Sequence, residues 1–331
     1  LARVEWDRVV LSRDGGEEVL EISSARASGK DGAPAAAGAS AAGGERIRTT
    51  ELAAHVGERV LLQGWLHAVR RLGGVTFVIL RDGWGTAQVV IDQPGGIEAM
   101  VGPDVLPESV IDVEGVATAA AQAPGSVELQ DARITVLEAV REPLPVLIGK
   151  REVKAGLPAQ LDHAVTVNRH PARRAVFRLS AATMAAFREA LNGRGFTEIQ
   201  TPKFVASATE SGANVFAVDY FGQRAFLAQS PQFYKQIMVG VFERVYEVAP
   251  VFRAEPHDTV RHLSEYVSLD VEFGFIDNHF TVMALLRDVL AHIFVSLAER
   301  HAADLQLAGA DLPQVPPSIP HLHFSEAQEW I

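Results

Sequence analysis

The sequence predicts an α+β protein with two folded regions: a small five-stranded β-barrel, then a larger domain in which helices flank a mostly antiparallel sheet. Short β-type runs recur between residues 60 and 140, and helical and strand patterns alternate after residue 171. Residues 244–275 are typical of two strands joined by a charged loop. Of 331 residues, 48% are hydrophobic and 21% charged, an ordinary composition for two globular domains.

Composition excludes several classes of protein. Cysteine is absent, which excludes disulfides, thiolate zinc sites and a cysteine nucleophile. The chain has no run of 18 or more apolar residues, and its first residues are charged, so we expect a cytoplasmic protein without a signal peptide or membrane partner. The net charge of -11 argues against indiscriminate nucleic-acid binding but allows RNA recognition by a local basic surface.

Changes in composition divide the chain into four segments. Residues 1–45 are predicted to be a flexible leader, because Ser23 to Glu45 is rich in Ala, Gly and Ser and lacks apolar periodicity. The two runs of β-forming residues before Ser23 are too short to decide between strands and a tail. Residues 46–141 form the predicted barrel, the proline-containing residues 142–170 a hinge, and residues 171–331 the larger domain.

The barrel is predicted from five short strands and one helical connection near residues 95–101. Glycine-containing turns separate the strands, which are Val60–Val69, Val75–Leu80, Thr86–Ile91, Val110–Ala117 and Ile134–Val140. This pattern favours an oligonucleotide-binding (OB) barrel, with a small β-barrel of another role as the alternative. Phe77 lies on a strand near Arg70, Arg71 and Arg81, and Gln88 lies on the next strand. An aromatic ring for stacking beside amide and guanidinium groups suits an unstacked RNA loop, unless Phe77 is a core residue.

The larger domain begins with a helix that Gly193 and Gly195 end. Its apolar positions recur at helical spacing: Val176, Leu179, Met184, Phe187 and Leu191. A strand closed by Pro202 follows. A second helix starts at Ser230 as cap with Pro231 in the first helical position, which puts Gln232 and Lys235 in its first turns. A helix N-terminus with a lysine favours an anion, although a lone lysine is more often an exposed one. Further helices are predicted over Thr281–Arg300 and from Ser325.

The charged hairpin is the most informative segment. Arg244–Phe252 alternates polar and apolar residues, Arg253 follows it, and the loop carries Glu255, His257, Asp258 and Arg261 before the second strand. An arginine suits the meeting point of a carboxylate and a phosphate, because its planar fork binds two oxygens and keeps its charge. The alternative is a surface hairpin with paired arginine and glutamate side chains.

This hairpin resembles motif 2 of the class II aminoacyl-tRNA synthetases, and the similarity extends from about Arg46 to Ile331. Leu227–Gln236 and Ser268–Glu272 resemble the aspartate-specific members, of the archaeal and eukaryotic type. The resemblance implies an OB-fold anticodon-binding domain, followed by a class II catalytic domain. The first helix, the strand after it and Pro202 are similar to motif 1, which implies a homodimer through the Pro202 region.

The resemblance implies ATP-dependent attachment of L-aspartate to tRNA(Asp) through an aspartyl-adenylate. It leaves tRNA(Asn) open as a second acceptor. ATP is then a substrate and Mg²⁺ a cofactor, with no metal ligand in the printed chain. Arg253 is the implied catalytic residue. The implied aspartate-binding residues are Glu210, Ser230, Gln232, Lys235, Arg253 and Asp270; the ATP-binding residues are Arg253, Glu255, Arg261, His262, Leu263 and Tyr266; the anticodon-binding residues are Phe77, Gln88 and Glu128.

The chain departs from the family pattern at four places. Asp162-His163-Ala164 stands where an acidic residue, a small residue and arginine are expected, Ser211 replaces a glycine and Ser264 an asparagine. The glycine-rich motif 3 is missing before Ile331, so we expect a domain incomplete at its C-terminus that alone does not form the adenylate. Two alternatives stay open: a synthetase-derived asparagine synthetase, which would lack the barrel, and an inactive paralogue that binds RNA.

Overall fold

The computed structural model describes the strand backbones of residues 2–5, 8–13 and 16–21, and residues 46–102, 105–209, 214–257, 259 and 262–330. The predicted linker Ser23 to Glu45 lies outside the described residues, as do Glu210, Ser211 and Arg261. The chain divides into two compact units, Leu1–Pro143 and Leu144–Ile331.

The first unit opens with a three-stranded antiparallel sheet, which the sequence left undecided. Its strands are β1 (Ala2–Glu5), β2 (Arg8–Arg13) and β3 (Gly16–Glu21), paired in that order. A closed barrel in the order β4-β5-β6-β8-β7 follows and confirms the predicted five strands. They are β4 (Arg59–Leu72), β5 (Val75–Arg81), β6 (Thr86–Ile91), β7 (Val110–Ala119) and β8 (Val127–Glu138), with helix α1 (Gly96–Val101) after β6.

Alternating apolar side chains fill the barrel. Val78, Leu80, Val89 and Leu129 are fully buried inside it, whereas their neighbours Phe77, Gln88 and Val90 are half-buried. Gly64 is required where β4 crosses β5, because a Cβ there would lie 2.3 Å from the carbonyl oxygen of Arg81. The predicted start of the fifth strand at Ile134 is wrong. The strand begins at Val127, because an irregular pairing between Glu114 and Val116 interrupts the apolar alternation in the sequence.

The carboxylate of Asp82 ties the β5–β6 turn to the short helix Thr49–His55. It accepts hydrogen bonds from the Thr49 backbone N–H at 2.8 Å and hydroxyl at 2.7 Å, and from the N–H groups of Trp84 and Gly85 at 2.7 Å each. Burial raises the pKa of Asp82, but these hydrogen bonds lower it by more, so the net pKa lies below its usual value of 3.8. The ionised form is therefore favoured in the folded barrel.

Asp82→Asn is expected to lower the free energy of unfolding at pH 7 by about 1–3 kcal/mol, because buried donors lose an ionised acceptor. Since the folded pKa is below the unfolded one, the contribution is complete above the unfolded pKa and is lost as pH falls through the folded pKa. Urea unfolding followed by circular dichroism at pH 7 and at pH 3 measures both effects. Asp92→Asn, an exposed acid on the same barrel, is the control. An equal pH dependence in wild type and Asp82→Asn would contradict the assignment.

The second unit contains two three-stranded sheets and seven helices among its described residues. The sheets have the orders β10-β12-β11 and β14-β13-β9. The strands are β9 (Thr197–Glu198), β10 (Phe204–Val205), β11 (Ala217–Tyr220), β12 (Gln223–Leu227), β13 (Arg244–Phe252) and β14 (Glu265–Phe273). The helices are α2 (Leu157–Asp162), α3 (Ala164–Val167), α4 (Pro171–Asn192), α5 (Gln232–Phe242), α6 (His279–Arg300), α7 (Ala302–Ala308) and α8 (Phe324–Glu329).

One face of the β13–β14 hairpin packs on α4 and α6. Tyr246 is fully buried there, edge-on to the Phe187 ring at 5.8 Å, and its hydroxyl donates to Asn192 Oδ1 at 2.9 Å. Val289 and Ile293 of α6 complete this core. The predicted α+β class, with helices on a mostly antiparallel sheet, is therefore confirmed.

Two predicted boundaries in this unit are wrong. The strand before Pro202 consists of Thr197–Glu198 alone, because Thr201 turns to bind a buried carboxylate on β13. Helix α5 begins at Gln232, with Pro231 as its cap. The Ser230 hydroxyl still accepts the N–H of Gln232 at 3.0 Å, so the capping function is retained one position away.

Helix α6 is the one described helix that is long and apolar enough to cross a membrane by length and composition. Its residues Val289, Ile293 and Leu297 are buried in the core under the hairpin. A core helix meets the same criterion, so this is weak evidence for a membrane span.

Candidate active site

The pairing of β13 with β14 places polar side chains on one face of the hairpin. Glu247 is paired with Asp270, Val251 with Tyr266, and Val245 with Glu272. Directly opposed residues point to the same face of an antiparallel pair. The polar side chains therefore lie on the face opposite the Tyr246 core. The alternation of residues along β13 and β14 is enough to separate the polar side chains from the core side chains.

Lys235 of α5 lies against this polar face. Its side chain is buried, and its Nζ donates to Asp270 Oδ1 at 2.9 Å and lies 3.6 Å from Glu272 Oε2. Gln232 Nε2 donates to the same Glu272 oxygen at 3.3 Å. Three of the predicted aspartate-binding residues are thus brought together, and an exposed surface lysine at this position is excluded.

The turn before α5 forms one wall of this cluster. Thr209 Oγ1 accepts the backbone N–H groups of Gln229 at 3.1 Å and Ser230 at 3.2 Å. Gln229 is fully buried, and its Nε2 donates to the carbonyl of Asn214 at 3.4 Å. Thr209 directly precedes Glu210, which itself lies outside the described residues.

Sequence reasoning missed Thr209, Gln229 and Glu272. Glu272 could have been found, because it lies two residues after Asp270 on a strand and so shares its face. Gln229 and Thr209 carried no such signal, since a buried amide and a hydroxyl in a small-residue loop have ordinary sequence surroundings.

Arg253 lies directly after β13, where the strand pairing ends. It is half-buried, and its backbone N–H donates to the Ser264 carbonyl at 3.0 Å. In the loop, His262 Nε2 lies 3.6 Å from Glu255 Oε2. Tyr266 is half-buried at the start of β14, whereas Leu263 is exposed. The described members of the predicted ATP set thus lie around the open end of the hairpin.

Of the predicted anticodon-binding residues, Phe77 and Gln88 are half-buried, whereas Glu128 is buried. Gln88 is paired with Glu128 across parallel strands, and its Nε2 donates to Glu128 Oε2 at 2.9 Å. Phe77 is half-buried on β5, with Arg70 as its partner on β4. The expectation that Arg81 is available beside them is wrong. Its buried guanidinium donates to Glu108 Oε2 at 2.6 Å and lies 4.7 Å from the Trp65 ring centroid.

The described residues contain no group of three or more His, Cys, Asp or Glu side chains that could hold a metal ion. Glu255 and His262 contribute two such side chains in the loop, and Asp270 and Glu272 are already occupied by Lys235.

Family models match both units. The model "tRNA synthetases class II (D, K and N)" matches residues 158–331, and the model "OB-fold nucleic acid binding domain" matches residues 60–137. The barrel and the charged hairpin thus define a two-domain class II synthetase architecture. The chain belongs to the class II tRNA synthetases of the D, K and N group.

Within that group, the chain is similar to aspartate ligases. It is 46% identical to the aspartate–tRNA(Asp/Asn) ligase of Deinococcus radiodurans over 287 residues, 87% of this chain and 64% of that protein. It is 43% identical to the ligase of the same name from Sulfurisphaera tokodaii over 273 residues, 82% of this chain and 63% of that protein. The chain therefore spans a little under two thirds of the length of these relatives.

Solved structures give the same architecture. The asparaginyl-tRNA synthetase from Pyrococcus horikoshii complexed with asparaginyl-adenylate matches with a TM-score of 0.77 and 28% identity, over 86% of this chain and 66% of that chain. The aspartyl tRNA synthetase from Entamoeba histolytica matches with a TM-score of 0.65 and 27% identity, over 80% of this chain and 58% of that chain.

Proposed function

We propose that the protein expressed from its complete reading frame attaches L-aspartate to tRNA(Asp) in two steps. Aspartate first attacks the α-phosphate of ATP, giving aspartyl-adenylate and pyrophosphate, and the aspartyl group then moves to the terminal ribose of the tRNA. The observation that carries this proposal is the buried ammonium of Lys235 on the polar face of the hairpin. A buried cation there selects an amino acid with a side-chain carboxylate.

Charge complementarity assigns the substrate groups. Lys235 would bind the side-chain carboxylate of aspartate, while Asp270 and Glu210 would bind its ammonium group. Ser230 and Gln232 would line the pocket, since both lie in the turn that presents Lys235. In this assignment the substrate carboxylate takes a place beside Lys235 that Asp270 and Glu272 share in the described structure.

ATP would lie at the open end of the hairpin. Arg253 would hold the α-phosphate and the reacting carboxylate together, because two anions approach each other there and a guanidinium binds both. Arg261 and His262 would bind the β- and γ-phosphates, Glu255 would accept from the adenine amino group, Leu263 would line the site, and Tyr266 would stack on the base. The reaction needs positioning and charge neutralisation rather than a protein base. Magnesium bound with ATP would supply further neutralisation of its phosphates.

The remaining proposals concern partners and location. We propose that the anticodon of tRNA(Asp) contacts Phe77, Gln88 and Glu128. tRNA(Asn) is a candidate second acceptor. The protein is further proposed to work in the cytoplasm, as a homodimer that forms through the Pro202 region. The barrel supports this function over a synthetase-derived asparagine synthetase.

Phe77→Ala is expected to weaken tRNA(Asp) binding by about 5- to 150-fold, because stacking of one base on an aromatic ring is worth about 1–3 kcal/mol. Filter binding of a tRNA(Asp) transcript measures the dissociation constant. Val90→Ala removes the strand partner of Phe77 and is the matched control, with binding expected to stay near wild type. Equal losses in both variants would show a packing role for Phe77 instead.

Aminoacylation tests the complete proposal. The protein from the complete reading frame is incubated with labelled aspartate, ATP and separate transcripts of tRNA(Asp), tRNA(Asn) and tRNA(Lys). We expect aspartate on tRNA(Asp) and none on tRNA(Lys), and the tRNA(Asn) reaction decides the second acceptor. Tight tRNA binding without charging would instead favour an inactive RNA-binding paralogue.

A further inference from the structure

A second buried ion pair lies on the polar face of the hairpin, beside the Lys235 cluster. Glu247 is 1% exposed and accepts the Thr201 backbone N–H at 2.7 Å, the Thr201 hydroxyl at 3.0 Å and Lys203 Nζ at 2.8 Å. Lys203 Nζ also donates to the Thr201 hydroxyl at 2.9 Å. We call these three residues the Glu247 network. Burial of a carboxylate is costly without hydrogen-bond and charge partners, and Thr201 and Lys203 supply them for Glu247.

The Glu247 network is adjacent to the proposed aspartate site. Glu247 is the cross-strand partner of Asp270, so the two carboxylates share one face, with Cβ atoms about 5 Å apart. Asp270 binds Lys235, and Glu247 binds Lys203. Three carboxylates and two ammonium groups thus lie on this part of the hairpin face, because Lys235 also lies 3.6 Å from Glu272.

Lys203 also connects the pocket wall to β13 through the backbone. Its carbonyl accepts the N–H of Ala228 at 2.9 Å, and the Ala228 carbonyl accepts the N–H of Phe252 at 3.0 Å. Ala228 directly precedes Gln229 and Ser230, and Phe252 directly precedes Arg253. Lys203 therefore has two roles: its backbone helps to hold the turn before α5 beside β13, and its side chain neutralises the buried carboxylate of Glu247 on β13.

We propose that Lys203 and Glu247 are positioning residues that set the charge balance of the aspartate site. This inference rests on the proposed function. Lys203 neutralises Glu247, so only Asp270 and Glu272 compete with the side-chain carboxylate of the substrate for Lys235. Without Lys203, the Glu247 carboxylate competes for Lys235 and repels the incoming aspartate, because unscreened charges interact strongly at low dielectric.

The effect is specific for aspartate over ATP. Arg253 lies six residues after Glu247 along an extended strand, which corresponds to about 20 Å. At that distance the Coulomb interaction of two charges is about a quarter of its value at 5 Å. Loss of Lys203 therefore raises the KM for aspartate and leaves the KM for ATP nearly unchanged.

The test measures pyrophosphate exchange in the protein from its complete reading frame, with separate titrations of aspartate and ATP. We expect Lys203→Met to raise the aspartate KM about tenfold and the ATP KM less than about twofold, within the range of coupling between adjacent charged pairs. The double variant Lys203→Met/Glu247→Gln should regain most of the lost aspartate affinity, because no buried charge remains unpaired.

A purely structural role gives a different pattern and overturns the inference: both KM values rise together, and the double variant is no better than Lys203→Met. If circular dichroism shows that Lys203→Met does not fold, Lys203→Arg, which keeps the positive charge, is compared with Lys203→Gln, which removes it. We then expect a selective rise of the aspartate KM in Lys203→Gln and none in Lys203→Arg. A wild-type protein that shows no exchange with aspartate refutes the proposed function and this inference with it, whereas an active wild type with parallel KM changes refutes the inference alone.

Discussion

Lys235→Ala is expected to raise the KM for aspartate in pyrophosphate exchange by at least about 100-fold, while the KM for ATP changes little. Removal of one partner from a buried ion pair has a large effect, about 3–5 kcal/mol, because the other charge stays buried without compensation. Here two carboxylates, Asp270 and Glu272, would face the substrate carboxylate without the ammonium. Initial-rate titrations of both substrates measure the effect.

Lys154→Ala is the matched control, since Lys154 is an exposed lysine of the same unit. Thermal unfolding of each variant separates loss of binding from loss of fold. An aspartate KM within a few-fold of wild type in a folded Lys235→Ala would exclude Lys235 as the residue that recognises the side-chain carboxylate.

Arg253→Ala is expected to lower kcat/KM for pyrophosphate exchange by about 1,000-fold. The Arg253 guanidinium is proposed to bind both the aspartate carboxylate and the α-phosphate of ATP as these two anions react. The variant should fold, since the hydrogen bond to Ser264 uses the backbone N–H of Arg253 and survives the change. Arg253→Lys should recover only part of the activity, because an ammonium lacks the planar fork.

Arg244→Ala gives a control at the opposite end of the same strand. Arg244 is exposed, and its guanidinium lies 5.8 Å from the Phe196 ring, remote from the open end of the hairpin. Its exchange rate should remain near wild type. Equal losses in Arg244→Ala and Arg253→Ala would show that the strand's stability, rather than transition-state binding, determines both results.

The elements with strong periodicity were predictable from the sequence. Helix α4 carries an apolar stripe, and the charged hairpin alternates, so their type and approximate limits follow from local pattern. The first part of strand β8 was not, because Gln130 and Asp131 are two consecutive polar residues that interrupt its alternation. The strand before Pro202 was predicted, but its restriction to Thr197–Glu198 was not, because its partners on β13 lie 48 positions away.

Some residues of the candidate site could likewise be predicted from the sequence, and others could not. Residues on helices and strands with a clear register, such as Lys235 and Asp270, could be placed together from sequence and resemblance. The Glu247 network could not, because its three members come from a chain turn and a strand whose apolar neighbours make Glu247 resemble an outward-facing residue. Burial of a charge is a tertiary property, so only the folded structure reveals that Lys203 neutralises it.

Exchange of labelled pyrophosphate into ATP by the protein from its complete reading frame tests the central claim most directly, with aspartate, asparagine and lysine supplied separately. A cationic pocket at Lys235 predicts exchange with aspartate alone, and its loss in Lys235→Ala. Exchange with asparagine equal to that with aspartate would contradict recognition of the side-chain charge. No exchange with any of the three amino acids would contradict adenylate formation and favour a protein that binds RNA without activating an amino acid.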